Sequence, residues 1–306
     1  MGVGTMAIAL PRPARLSSAE RGRRRFGLLL TLPAVAFYLV LILYPFLSSV
    51  GLSLFRSTLV APEPVFRGFD NFVRLADDPS FFAAWLRTLV FVGLATALTV
   101  AIGLIWAIVL NQGFRGARVL RSMTLLPWVM PSAVTALLWA WLLNGQYGVL
   151  NAYLMRLHLL DEPVIWLATP AGAMAAIVLA KTWLSTALVM TFFLASLQTL
   201  PMEQVEAARL DGAGNRNVIR YVILPHVRRT LIVVAVLQAM GNLQQIDVIY
   251  AMTGGGPAGA TSVMSIEVYK KAFQQWNLGL ASAIGVIWFV TISIPATVYL
   301  RSIFRN

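Results

Sequence analysis

The chain has 306 residues, of which 58% are hydrophobic, only 12% are charged and none is cysteine. A soluble domain of this length carries about a quarter charged residues, and without cysteine there is neither a disulfide framework nor a thiolate metal site. The formal net charge of +12 would suit nucleic acid, but the arginines sit in short segments between apolar runs, and a mean hydropathy of +0.76 with that pattern points to a membrane.

A helix needs about 20 mostly apolar residues to cross a bilayer. Six stretches qualify: residues 26–55, 85–110, 119–143, 170–197, 230–250 and 278–300. The sequence therefore predicts an all-α integral membrane protein with six transmembrane helices. Its domains are an Arg-rich tail at 1–25 and a membrane domain at 26–306. The first stretch reads as a retained span, because its apolar run is too long for a signal peptide and no small-residue cleavage site ends it. Pro33 and Pro45 lie inside it, and Pro127 and Pro131 inside the third stretch. Proline is tolerated there where neighbours re-satisfy the freed carbonyls. Of the 24 Lys and Arg residues, sixteen fall on the side of the N-terminus, seven on the other side, and Lys181 within a span. That bias predicts both termini in the cytoplasm.

The segments on the outer side are short. Residues 56–84 contain Pro62 and Pro64, and 145–169 predict a surface helix and a turn. Residues 252–277 open with TGGGPAGAT and continue as a short amphipathic helix. Trp139 and Trp141 are placed to mark the membrane interface. His158 and His226 are far apart, so with no cysteine a metal site is not expected. A membrane enzyme would need paired acids, but Asp77 with Asp78 and Asp161 with Glu162 read as loop and helix-start residues. A secondary transporter would show carboxylates within the spans and internal repeats; the spans offer almost no carboxylate.

The fourth and fifth stretches are joined by EAARLDGAGNRNVIRYVILP, residues 206–225. Pro201 ends the preceding span. Glu203 and Glu206 fall in the first turn of a helix, where negative charge suits the helix dipole. Glu206, Ala207, Ala208 and Leu210 favour helix, and Asp211-Gly212 breaks it, since glycine tolerates positive φ. A second short helix follows, apolar at Val218, Ile219, Val222 and Ile223, with Leu224-Pro225 predicted to end it. On these residues alone the stretch is either a docking element at about 203–225 or a loop that shields the span ends.

Polar groups within the spans are costly and are often functional. Gln238, Asn242 and Gln245 at i, i+4 and i+7 are predicted to share one helix face. Lys181 and Ser185 are one turn apart, as are Trp128 and Ser132. Amides and hydroxyls can bond sugar hydroxyls and an aromatic ring can stack on a sugar; the same residues can also glue helices together. Lys181 either meets an acidic substrate or pairs with a carboxylate, for which Asp247 is a candidate.

The stretch at 206–225 resembles the EAA motif of ABC importer permeases. Glu206-Ala207-Ala208, Asp211-Gly212-Ala213 and Leu224-Pro225 match it, while Val222 stands where isoleucine is usual and Ile219 where phenylalanine is common. LPWVMPSAVTALLWAWLLNGQYGVLN at 126–151 is similar to the third span of the carbohydrate-type, MalF-like or UgpA-like members. TGGGP at 253–257 and AFQQWNLGLASAIG at 272–285 resemble their outer loop and last span. The resemblance implies a type I importer fold, alternating access and a bacterial inner-membrane location. It implies that 206–225 docks on an ATPase, so ATP and Mg lie on partner subunits and not on this chain, which has no Walker A sequence. The partners implied are a second, MalG-like permease, two ATPase subunits, an extracytoplasmic solute-binding lipoprotein, the bilayer and a sugar. The positions implied to hold the sugar are Trp128, Ser132, Lys181, Ser185, Leu188, Gln238, Asn242 and Gln245. Leu188 departs from the family's aromatic and Lys181 from its neutral amide. A di- or oligosaccharide is the expected substrate, with glycerol-3-phosphate or a glycerophosphodiester as the alternative.

Overall fold

The computed structural model describes residues 18–304 except 59, 61 and 62, so most of the N-terminal tail, 1–17, lies outside the described residues. The chain divides into two units, Met1–Gly51 and Leu52–Asn306. In the first, α1 (Ser18–Tyr38), a π turn (Leu39–Leu43) and α2 (Tyr44–Leu52) run on without a break. The π turn has a cause in the sequence. Pro45 has no N–H for the carbonyl four residues back, and its ring crowds that carbonyl. An i→i−5 turn, closed by the Tyr44 N–H on the Leu39 carbonyl, re-spaces the backbone just ahead of the proline.

The second unit begins with a short antiparallel pair, β1 (Phe55–Arg56) and β2 (Val65–Phe66), in which Phe55 faces Phe66. After α3 (Asp70–Ala76) come α4 (Pro79–Asn111), α5 (Ala117–Val129), α6 (Ser132–Leu142) and α7 (Val149–Arg156). Then follow α8 (Pro170–Gln198), α9 (Met202–Leu210), α10 (Asn215–Val218), a π turn (Ile219–Ile223) and α11 (Leu224–Leu243). The chain closes with α12 (Asp247–Thr253), α13 (Met264–Tyr269), a π turn (Lys270–Gln274) and α14 (Leu278–Phe304).

Among the described residues four helical segments are long and apolar enough to cross a membrane: Leu29–Leu52, Pro79–Asn111, Pro170–Gln198 and Asn215–Leu243. A fifth candidate is the bent pair α5 and α6, and α14 has a shorter apolar stretch, Leu278–Ile294. The two long helices α4 and α8 start by the same device. Asp78 precedes Pro79 and accepts the Ser80 N–H at 2.9 Å; Thr169 precedes Pro170 and accepts the Gly172 N–H at 3.1 Å. In each, a capping oxygen satisfies a free N–H, and proline takes the first helical position, where it has no donor to lose. The Ser80 hydroxyl, 2.6 Å from the Asp78 carboxylate, is the main cause that holds this carboxyl below its ordinary pKa.

Two sequence expectations are corrected. The third span, expected to run straight through 119–143, is broken by 101° between Val129 and Ser132. A residue before proline is driven out of the helical region, and Met130, before Pro131, is extended at φ −71°, ψ 138°. Pro127 lies buried inside α5. The second correction concerns Pro225, expected to stop a helix. The i→i−5 bond from the Leu224 N–H to the Ile219 carbonyl accommodates it as the first π turn accommodates Pro45. The helix therefore runs unbroken from Asn215 to Leu243. At its far end it stops at Leu243, short of the expected 250, and restarts as α12.

The main apolar core gathers Phe91 of α4, Ile177 of α8, Ile249 of α12, Met264 and Ile266 of α13 and Ile284 of α14. A second cluster joins Leu110, Ala117, Val189, Met190, Phe193 and Val227. Trp139 packs edge-on against Trp183 with ring centres 6.2 Å apart. Helix α4 packs closely on α8 at Gly103, where an added Cβ would stand 2.6 Å from Val189 Cγ1 and 3.2 Å from the Met190 nitrogen. Small residues let helices in a membrane approach this closely. Gly103→Ala is predicted to cost about 1–3 kcal/mol by overpacking. The check is the melting temperature of the purified protein in detergent, and Val189→Ala in the same chain should recover part of the loss.

Candidate functional site

A cavity of about 580 Å³ lies between α5, α6, α8 and α11. Helix α8 contributes Lys181, Ser185, Leu188 and Phe192, spaced to form one face. Helix α11 contributes Val234, Leu237, Gln238 and Gly241 at the same kind of spacing. The break in the third span supplies the remaining wall: Trp128 in the last turn of α5, Met130 at the bend and Ser132 at the start of α6. Trp128 keeps 52% of its surface exposed, so an indole face is available for stacking. Irregular backbone in a membrane is tolerated where it lines such a cavity.

The cavity thus brings together Trp128, Ser132, Lys181, Ser185 and Gln238 of the expected set, and Leu188 with them. Asn242 and Gln245 are elsewhere. Asn242 is 2% exposed and donates through Nδ2 to Thr96 Oγ1 at 3.1 Å, which ties α11 to α4. Four residues along a helix leave it roughly 40° around the axis from Gln238, enough to change neighbours. Gln245 follows the end of α11 and is buried, its backbone carbonyl accepting the Ser265 hydroxyl at 2.7 Å. The helical period that would have aligned it with Gln238 stops at Leu243.

One polar residue of the cavity region was read only as a possible partner for Lys181. Asp247, first residue of α12, accepts the Ser132 hydroxyl at 2.7 Å across 115 residues of sequence, and its charge acts on Lys181. His226, considered only as a metal ligand, instead joins helix ends. Its Nε2 lies 3.0 Å from the Ser196 carbonyl and 3.2 Å from Thr199 Oγ1, while Thr230 donates to Ser196 Oγ at 2.9 Å. These bonds tie the start of α11 to the end of α8.

The stretch at 206–225 is a helix, a tight turn and a second helix. Glycine closes the first. The Ala213 N–H reaches the Ala208 carbonyl at 2.9 Å and the Gly212 N–H the Arg209 carbonyl at 3.0 Å, with Gly212 at φ +82°. This pair of bonds around a left-handed residue is a Schellman cap. It explains the small residues of the motif, because Ala208 and Ala213 are the two that meet across the cap and pack on a cluster of Leu200, Val205 and Val218. Glu206, Ala207, Asp211 and Gly212 face outward, and Leu210 is 88% exposed. Leu224 and Pro225 open α11 and carry the stretch directly into the cavity-lining helix.

A family model described as the inner membrane component of binding-protein-dependent transport systems matches residues 99–305. The chain belongs to that family. It is a multi-pass membrane protein, and the resemblance to ABC importer permeases of the carbohydrate type read from 206–225 is borne out. This permease is 35% identical over 280 residues to the trehalose/maltose transport system permease MalF of Thermococcus litoralis, a match covering 90% of this chain and 93% of that protein. It is 32% identical over 295 residues to the sulfoquinovosyl glycerol transport system permease SmoG of Agrobacterium fabrum, covering 96% and 94%. In fold it is similar to a chain of a bacterial alginate ABC transporter crystallised with an alginate pentasaccharide-bound periplasmic protein. The TM-score is 0.79 at 20% identity, covering 92% of this permease and 94% of that chain.

Replacing Gly212 tests the cap. Gly212→Ala is expected to cost about 1–2 kcal/mol, the penalty for a side chain in the left-handed region. It should appear as faster amide exchange over residues 208–213, with Gly212→Asn tolerated better.

Proposed function

We propose that this chain is one permease half of an ATP-driven, binding-protein-dependent importer of a di- or oligosaccharide. The observation that carries the reading is the single helix Asn215–Leu243. One end holds the second half of the motif stretch and the other holds Gln238 in the cavity wall. A push on the stretch therefore reaches the cavity through unbroken backbone. The six crossings are the four long helices, the bent α5–α6 pair and α14, with both termini in the cytoplasm as the arginine bias favours. On this reading the exposed surface around Glu206 and Leu210 docks on an ATPase subunit. Two such subunits hold ATP and Mg, and this chain carries no cofactor. A second, MalG-like permease covers the exposed flank of the cavity at Trp128, Phe192 and Leu237. An extracytoplasmic solute-binding lipoprotein delivers the sugar, and closure and reset of the ATPases expose the cavity to each side in turn. The relatives named for trehalose, maltose and sulfoquinovosyl glycerol support a glycosidic substrate.

One observation favours a second reading. Lys181 lines the cavity, and a half-buried ammonium would suit an anionic substrate such as glycerol-3-phosphate.

The test is ATPase activity of the assembled transporter in lipid vesicles, with its binding protein and a panel of saccharides. Leu210→Asp and Glu206→Ala are each expected to lower substrate-stimulated hydrolysis at least about tenfold, in line with loss of about 1.4 kcal/mol or more of coupling. Both variants at the wild-type level in intact complexes would sink the docking role of this surface.

A further inference from the structure

Lys181 is the sole ionisable side chain lining the cavity among the described residues. A lone ammonium inside a membrane span is costly unless a counter-charge is near. The counter-charge comes from across the break in span five. Asp247 accepts the Ser132 hydroxyl at 2.7 Å, which places its carboxylate one hydrogen bond from the cavity wall, and its field acts on Lys181. Neither group is consumed by the other. Among the described residues the Lys181 ammonium has no hydrogen-bond partner, and Asp247 accepts only through Oδ2, with the residue itself exposed. The wall therefore offers a donor-only group and an acceptor-only group, held apart, with a net charge of zero between them.

That arrangement has a chemical preference. A sugar hydroxyl both donates and accepts, so an uncharged polyol can bridge the two groups, donating hydrogen bonds to Asp247 and accepting them from Lys181. A phosphate or carboxylate can satisfy only Lys181 and must approach Asp247 against like-charge repulsion.

We propose that Asp247 is a specificity residue, whose carboxylate offsets Lys181 and makes the cavity reject anions in favour of uncharged polyhydroxylated substrates. The proposal rests on the reading of this cavity as the translocation site. Asp247→Asn is a suitable probe, since the amide keeps an oxygen for the Ser132 hydroxyl and loses only the charge.

The experiment is equilibrium binding to the purified transporter complex, without the binding protein, so that delivery does not filter the ligands. The probes are radiolabelled maltose and trehalose against sn-glycerol 3-phosphate and a glucuronic-acid disaccharide. Wild type should prefer the neutral probes by at least about tenfold. Asp247→Asn should move the ratio at least about tenfold toward the anions, each factor of ten being 1.4 kcal/mol. The double variant Lys181→Gln/Asp247→Asn should return the preference to neutral probes, which a merely structural Asp247 would not do. A ratio unmoved by Asp247→Asn in an intact complex, or a wild type that prefers anions, overturns the inference and leaves the importer reading standing. A wild-type complex that binds none of the probes overturns both.

Discussion

A backbone in hydrocarbon must satisfy its own hydrogen bonds, and the architecture of this permease follows from how it treats the prolines that break that rule. Pro45 and Pro225 are each preceded by an i→i−5 turn, so the helix continues through them. At Met130-Pro131 the helix gives way instead, and the chain turns through 101°. Met130 at the bend and Ser132 just after it line the cavity, where irregular backbone is tolerated. The second interruption, between Leu243 and Asp247, brings Asp247 to the Ser132 that the first one exposes. Two breaks that would be liabilities against lipid together build one polar wall.

Much of this was legible in the sequence. The long spans announced themselves by hydropathy, α4 and α8 by Asp78-Pro79 and Thr169-Pro170, and the turn at Gly212 by glycine after a run of helix formers. Lys181 and Ser185 share a face of α8 as their helical spacing foretold, whereas Trp128 and Ser132 meet them from either side of the break in the third span, and Gln238 joins from α11. What failed was reasoning that assumed an unbroken period. Gln245 shared a face with Gln238 only on a helix extending past Leu243, and Asn242, still within α11, is turned far enough around the axis to meet Thr96 instead. Pro225 was read as a stop, because propensity describes what proline does to an α-helix and says nothing of the π turn that absorbs it.

The cavity region combines few charges with many uncommitted polar atoms. Lys181 and Asp247 are both costly in this setting, and their proximity offsets part of the cost while leaving each open to a ligand. Gln238 and Ser185 add neutral hydrogen-bonding capacity, and Trp128 and Phe192 add apolar surface. Such a surface can hold a hydroxylated molecule loosely, which is what a carrier requires. Tight binding would slow release.

The unbroken helix from Asn215 to Leu243 can also be considered as a lever. At 1.5 Å per residue, Asn215 and Gln238 stand roughly 35 Å apart along its axis. A tilt of about 5° about a point between His226 and Thr230 moves Gln238 by about 1 Å and Asn215 by about 2 Å, enough to make or break a hydrogen bond. No hinge absorbs the stroke, because the one residue that would have made a hinge, Pro225, is accommodated by the π turn. The pivot is set by His226 and Thr230 on Ser196, which leaves arms of comparable length, about 20 Å to Asn215 and about 15 Å to Gln238, so that a displacement at the motif end arrives in the cavity reversed in direction and at nearly its full size.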